Sequence, residues 1–281
     1  MEKKEVCYKA TELLARIFRE NIAKNVEEAS WFARALGLTQ EVIDQYQIGY
    51  CPKEGAEINE DEVPYSVARV VHGITRNFER HSIVFPITDV LGRIIDFHTI
   101  PIPELKKHKC SACGDDYHPL RDFAENGEII FGLKEAREEI KHTGEVVVTE
   151  KVTDCLFLVK NGIKNTVALC CFDNIEAQVR VLRRIADIGF VCPSDVRVAS
   201  DFEQAARKVG WFCETLTAWK HDVLDILTNE GPNAVKQFFR EKFLWLKDCA
   251  ERYQQAMRKS PEEKLQELLA MQAEQRDKAR V

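Results

Sequence analysis

Short apolar runs alternate with amphipathic stretches through the second half of the chain, and that alternation predicts its central architecture. Val146–Val148 form an unbroken apolar run of the kind a parallel strand buried on both faces needs. The run stops at Glu150, and Val152–Leu158 opens an apolar-rich helical stretch that carries Asp154. The alternation continues with a strand over Asn165–Cys170 and a helix over Ile175–Ile188. A further strand is expected over Val196–Ser200, ending at Asp201 and Glu203. Strands separated by helices predict an α/β unit with a mostly parallel sheet.

Ahead of this unit the pattern is mixed. Residues 5–24 read as an amphipathic helix with Leu13, Leu14, Ile17 and Phe18 on one face. Asn25 caps a second helix, Val26–Leu36, which stops at Gly37, and Thr39 caps a short third one. The acidic stretch 53–65 carries few strand or helix signals and predicts a loop. Ser82–Thr88 and Arg93–Ile100 predict two strands joined by a turn at Asp89–Gly92. Glu128–Leu133 leads into a helix over Lys134–Thr143. After the sheet, Gly231 and Pro232 mark a break, and Ala234–Met257 and Pro261–Arg280 predict helices. The expected class is therefore α+β: a helical and β N-terminal part, a central α/β part and C-terminal helices.

The candidate chemistry lies where the apolar runs end. Open α/β folds bind ligands beyond the carboxyl ends of their strands. Glu150 on one strand end, with Asp201 and Glu203 on another, would place three carboxylates on that edge. Such groups repel one another unless a cation sits among them, which predicts a divalent-metal site. Asp154 and Asp222 are further candidate ligands, although each also suits the start of a helix.

Composition narrows the setting. The chain has 281 residues, 45% hydrophobic and 31% charged, with a net charge of −6. That charge argues against a generic nucleic-acid coat and leaves room for a local basic groove. No apolar run approaches the length of a membrane span, and Met-Glu-Lys-Lys opens no signal peptide, so no membrane partner is expected. Ten cysteines without a secretory signal predict a reducing, cytoplasmic setting. Cys110-Ser111-Ala112-Cys113-Gly114 has the spacing of a zinc knuckle, to be completed by His108, His118 or Cys51. The same residues also read as a polar loop with two free thiols.

Several stretches together resemble the RNA-polymerase core of bacterial and phage DnaG-type primases, from about residue 8 to 245. Ala29–Pro52, with Gly37-Leu38 and Ile48-Gly49-Tyr50, is similar to the family's N-terminal motif. Arg80–Arg93, containing Phe85-Pro86-Ile87 and Gly92-Arg93, is similar to its central hairpin. Ile129–Glu135 resembles its entry to the Toprim subdomain, and Glu150 with Asp154 its strand-end acid turn. Asp201-Phe202-Glu203 stands in for its paired acids, and Trp219–Gly231, with Asp222, for its third acidic stretch.

The resemblance implies metal-dependent synthesis of short RNA primers on single-stranded DNA from ribonucleoside triphosphates. Mg²⁺ or Mn²⁺ would be held by Glu150, Asp201 and Glu203, with Asp154 and Asp222 beside them. Arg80 would hold phosphate or template backbone, and Lys151 would supply a phosphate contact or be a solvated lysine. A replicative helicase would be a partner, and Zn²⁺ a structural ion at Cys110 and Cys113. The implied division is 1–128 for an N-terminal subdomain with the knuckle at 108–118, 129–230 for Toprim, and 231–281 for C-terminal helices.

The sequence also departs from the family. Lys151 replaces the glycine after the motif glutamate, and Leu36 replaces a basic residue. Val90 stands where a lysine is usual, His98-Thr99-Ile100 stands for a Gly-Gly-Arg end, and Leu224 replaces a second acid. Two further readings therefore stand beside the polymerase: a catalytically inactive relative that binds nucleic acid or a replication partner, and a Toprim nuclease.

Overall fold

The computed structural model describes residues 3–24, 38–76, 78–89, 91–102, 129–169, 175–193, 196–217, 219–258 and 260. The chain divides into two compact units, Met1–Lys236 and Gln237–Val281.

The first unit opens with α1, Lys3–Lys24, an amphipathic helix that buries Val6, Ala10, Leu14 and Phe18. Of the expected apolar face, Leu14 and Phe18 are buried while Leu13 and Ile17 are half-buried. Thr11 ties the helix to a distant strand by donating its hydroxyl to the carbonyl of Ile94 at 2.7 Å. The short helix α2, Gln40–Gln45, is capped as its sequence predicts, with the Thr39 hydroxyl accepting from Val42 N at 3.3 Å. Thr39→Ala should cost about 1 kcal/mol, the usual worth of such a cap; urea denaturation would measure it.

An antiparallel sheet follows, in the order β1 (Gly49–Cys51), β2 (Ser82–Thr88) and β3 (Ile94–Pro101). The turn joining β2 and β3 is fixed by buried Asp89. One of its oxygens accepts from Leu91 N and Arg93 N at 2.9 Å, and the other from Arg93 Nε at 2.7 Å. Helix α3, Tyr65–Arg76, had no counterpart among the expected elements. It buries Val67, Val71 and Ile74 against Phe18, Val84 and Phe97.

The second sheet is parallel, in the order β5-β4-β6-β7. Its strands are β4 (Glu145–Thr149), β5 (Thr166–Ala168), β6 (Ile188–Cys192) and β7 (Phe212–Thr215). Central strand β4 has Val146, Val147 and Val148 fully buried, as a strand covered on both faces requires. The connections are α4 (Leu133–Thr143) before β4, α5 (Val152–Lys160), α6 (Ile175–Ile185) and α7 (Val196–Val209). One core cluster joins Ala136 and Ile140 of α4, Val179 and Leu182 of α6 and Phe202 of α7 to Val146 and Val148. A second joins Val152, Cys155 and Leu156 of α5 to Tyr46, Ile83, Phe85 and Phe131, bridging the two sheets. Helix α8, Trp219–Asn229, follows the last strand.

One expected element is corrected. Val196–Ser200 is not a strand but the first part of α7, and the strand lies earlier, at Ile188–Cys192. The alternation of Val196, Val198 and Ser200 suggests a period of two. The burial of Ala199, Phe202, Ala205 and Ala206 follows the helical period instead, and packing on the sheet decides in its favour.

Helix α9, Pro232–Arg258, crosses the division between the units. Among the described residues, no helix is long and apolar enough to cross a membrane.

Candidate functional site

All four strands of the parallel sheet point the same way, so their carboxyl ends form one edge. In register, Thr149 of β4 lies beside Ala168 of β5 and Cys192 of β6. Glu150 leaves this edge half-buried directly after β4. Lys151 is the N-cap residue of α5, and Asp154 lies in that helix's first turn. The backbone at Lys151 has φ −109° and ψ 144°, a region open to any residue. The turn therefore forms without a glycine at this position, and the lysine side chain is exposed.

Asp154 is the unusual group. It is only 4% exposed. Lys220, in the first turn of α8, donates from Nζ to Asp154 Oδ1 at 2.6 Å. The other oxygen, Oδ2, is buried and has no hydrogen-bond partner among the described residues. Buried carboxylate oxygens are normally satisfied, so one that is not marks a place where a cation or another donor belongs. Nearby, the Cys192 thiol is pushed well above its usual range, first by burial and then by the negative charge of Asp154. It is a neutral packing group, not a thiolate ligand.

The other predicted acids are elsewhere. Asp201 is exposed on α7, and Glu203 is half-buried on the same helix. Two positions apart on a helix, their side chains diverge by roughly 200° around the axis and cannot close on one ion. Fully buried Phe202 lies between them. Glu203 faces β7, where it lines a shallow pocket with Arg207, Trp211, Cys213 and Glu214. Burial, and then the charge of Glu203, raises the Glu214 carboxyl above its usual pKa. Strand β7 is two positions from β4, roughly 10 Å across the sheet. Asp222 is half-exposed on α8, with His221 Nδ1 at 3.7 Å as its neighbour. Among the described residues, no three His, Cys, Asp or Glu side chains are grouped so as to hold a metal. The five-acid cluster expected from the sequence is thus not assembled, because two of its members ride on a helix rather than a strand end. With the strand at Ile188–Cys192, the carboxylate that follows it in sequence is Asp195, which lies outside the described residues.

The remaining candidates separate in the same way. Arg80 is exposed just before β2, its Nε 3.7 Å from where a Cβ on Gly55 would stand. His108, Cys110, Cys113 and His118 lie outside the described residues, as do Leu36 and Val90. Cys51 is buried, and burial raises its thiol to about 11.

Lys220 gave no sequence signal, since it meets Asp154 only through the fold. What the acid edge can do chemically is limited but specific. Magnesium-type ions are commonly held by one or two carboxylates, with water and substrate phosphates completing the shell. Glu150 and Asp154, whose Oδ2 has no hydrogen-bond partner among the described residues, are the candidate ligands for such an ion.

Comparison with known proteins agrees with this architecture. A DNA primase of Aquifex aeolicus is 31% identical over 177 residues, 60% of this chain and 34% of that protein. In sequence the chain is similar to bacterial DNA primases. A DNA primase of Neisseria meningitidis is 27% identical over 183 residues, 62% of this chain and 29% of that one. The chain thus spans about a third of the length of the curated relatives it matches. No family model matches it. Among solved structures, the zinc-binding and RNA-polymerase domains of the Aquifex aeolicus primase superpose with TM-score 0.66. That match has 21% identity and covers 86% of this chain and 62% of that one. A DnaG primase catalytic domain bound to single-stranded DNA gives TM-score 0.65 at 19% identity, covering 85% and 79%. The fold is that of the DnaG catalytic core.

Proposed function

We propose that this chain is a divergent primase core that synthesises short RNA primers on single-stranded DNA with Mg²⁺ or Mn²⁺. The observation that carries the proposal is Asp154. A buried carboxylate with one oxygen unsatisfied among the described residues, at the carboxyl edge of a parallel sheet and four residues after Glu150, supports a divalent-ion site. The relationship to DNA primases supports the reaction. Glu150 and Asp154 would hold the ion, and the strand ends and α5 fix where their carboxylates stand. When bound, such an ion lowers the pKa of a primer hydroxyl and shields phosphate charge. The relative solved with single-stranded DNA supports that template for this chain. Ribonucleoside triphosphates are the proposed substrates, and exposed Arg80 and Lys151 the candidate contacts to phosphate. A replicative helicase, a Toprim assignment for 129–230 and a zinc ion at Cys110 and Cys113 belong to the same proposal.

One observation favours a second reading, a non-catalytic relative that binds nucleic acid. Lys220 already neutralises Asp154, and no larger acid cluster exists among the described residues. Incubation with single-stranded DNA, labelled ribonucleotides and Mn²⁺ or Mg²⁺ separates the two. Short labelled products that disappear on chelation support the primase. No product, even with helicase added, together with chelator-insensitive DNA binding supports the binder.

A further inference from the structure

We infer that Lys220 is a displaceable internal counter-cation, which must leave Asp154 before a divalent ion can bind and which thereby sets the metal affinity of this edge. The inference rests on the proposed metal site and names a residue that controls it.

The ammonium of Lys220 lies 2.6 Å from Asp154 Oδ1, and the other oxygen, Oδ2, is buried and has no hydrogen-bond partner among the described residues. A divalent ion on this carboxylate would stand within a few ångströms of the ammonium. Two cations at that separation in a partly buried site repel strongly, so both cannot share Asp154 at full strength. The geometry shows which one yields. Helix α8 is anchored by Trp219, 2% exposed, and Val223, fully buried, so the helix itself is held. The Lys220 side chain is 54% exposed, against 6% for Asp154. A flexible four-carbon stem ending near water can swing its charge outward at little cost, whereas Asp154 has no such route. The indole of Trp219, 5.7 Å from the ammonium, offers a neighbouring surface against which the charge rests.

Without a divalent ion, Lys220 keeps a buried carboxylate from standing unpaired, which would otherwise be strongly destabilising. Asp154 therefore stays charged and in place. The cost is competition, because every ion bound must displace the ammonium.

Binding of Mn²⁺ to the full chain, followed by the electron paramagnetic resonance signal of the free ion, tests this. Lys220→Met should tighten Mn²⁺ binding roughly tenfold, the scale expected from removing one nearby charge. Lys220→Arg, which keeps the charge, should stay close to the original affinity. Adding Asp154→Asn to Lys220→Met should abolish the gain. Lys220→Gln is the second variant should the methionine substitution impair folding, with circular dichroism as the check. Equal or weaker Mn²⁺ binding by Lys220→Met and Lys220→Gln, with the original protein binding, overturns the inference alone. No Mn²⁺ binding by the original protein or by any Lys220 variant overturns the metal site as well. Binding seen only after Lys220 is neutralised supports the inference in its strongest form.

Discussion

Glu150→Gln is expected to lower primer synthesis by about 10²–10³-fold while leaving single-stranded DNA binding within about twofold of the original. The substitution keeps the size and shape of a half-buried side chain at the end of β4 and removes only its charge. A carboxylate that holds an ion contributes several kcal/mol to stabilising charge in the transition state, and each 1.36 kcal/mol is about tenfold in rate. Template affinity depends mainly on phosphate contacts made by cations elsewhere, so it should not follow the loss. Steady-state product formation, read beside a fluorescence-polarisation titration at fixed salt, gives both numbers. Equal losses in both would mean that Glu150 supports the fold rather than the reaction.

The largest expected effect on stability comes from a residue remote from the acids. Gly49→Ala should destabilise the protein by about 3 kcal/mol, at the upper end for overpacking. A Cβ there would stand 2.5 Å from Phe18 Cβ and 2.7 and 2.9 Å from the Phe18 backbone carbon and oxygen. Phe18 is buried within α1 and stacks on Phe78 at 5.0 Å, so neither the side chain nor the helix backbone can move away. Strand β1 runs this close to α1 only because position 49 lacks a side chain. Chemical denaturation measures the change, and a loss below 1 kcal/mol would show that α1 can shift outward.

These two residues illustrate what could be read from the sequence. Gly49 belongs to a motif that the chain displays openly, Ile48-Gly49-Tyr50, although its cause is a contact with residue 18. The central strand at residues 145–149 and the hairpin strands were legible because their apolar runs are unambiguous. So was the edge to which Glu150 belongs. Asp201 and Glu203 were misplaced because Val196–Ser200 alternates like a strand over five residues, while the helical period appears only when Phe202, Ala205 and Ala206 are counted. The true strand, Ile188–Cys192, hides as the continuation of an apolar helix, divided from it by a turn at Asp187. The Asp154–Lys220 pair had no local signature. It joins the helix after the first strand of the sheet to the helix after the last, and only the completed sheet brings them together.

The proposed acid site therefore lies at the junction of β4 and α5 rather than on α7. Asp201 becomes a solvated helix residue, and Glu203 a member of a pocket on the far edge strand. Asp154 changes from a helix-start acid to the group on which the proposed ion depends.

The most direct measurement compares Asp154→Asn with Asp201→Asn in one primer-synthesis assay, on the same single-stranded template with Mn²⁺. The prediction is that product disappears with Asp154→Asn and persists near the original level with Asp201→Asn. Loss of product with Asp201→Asn, and its survival with Asp154→Asn, would contradict the site described here.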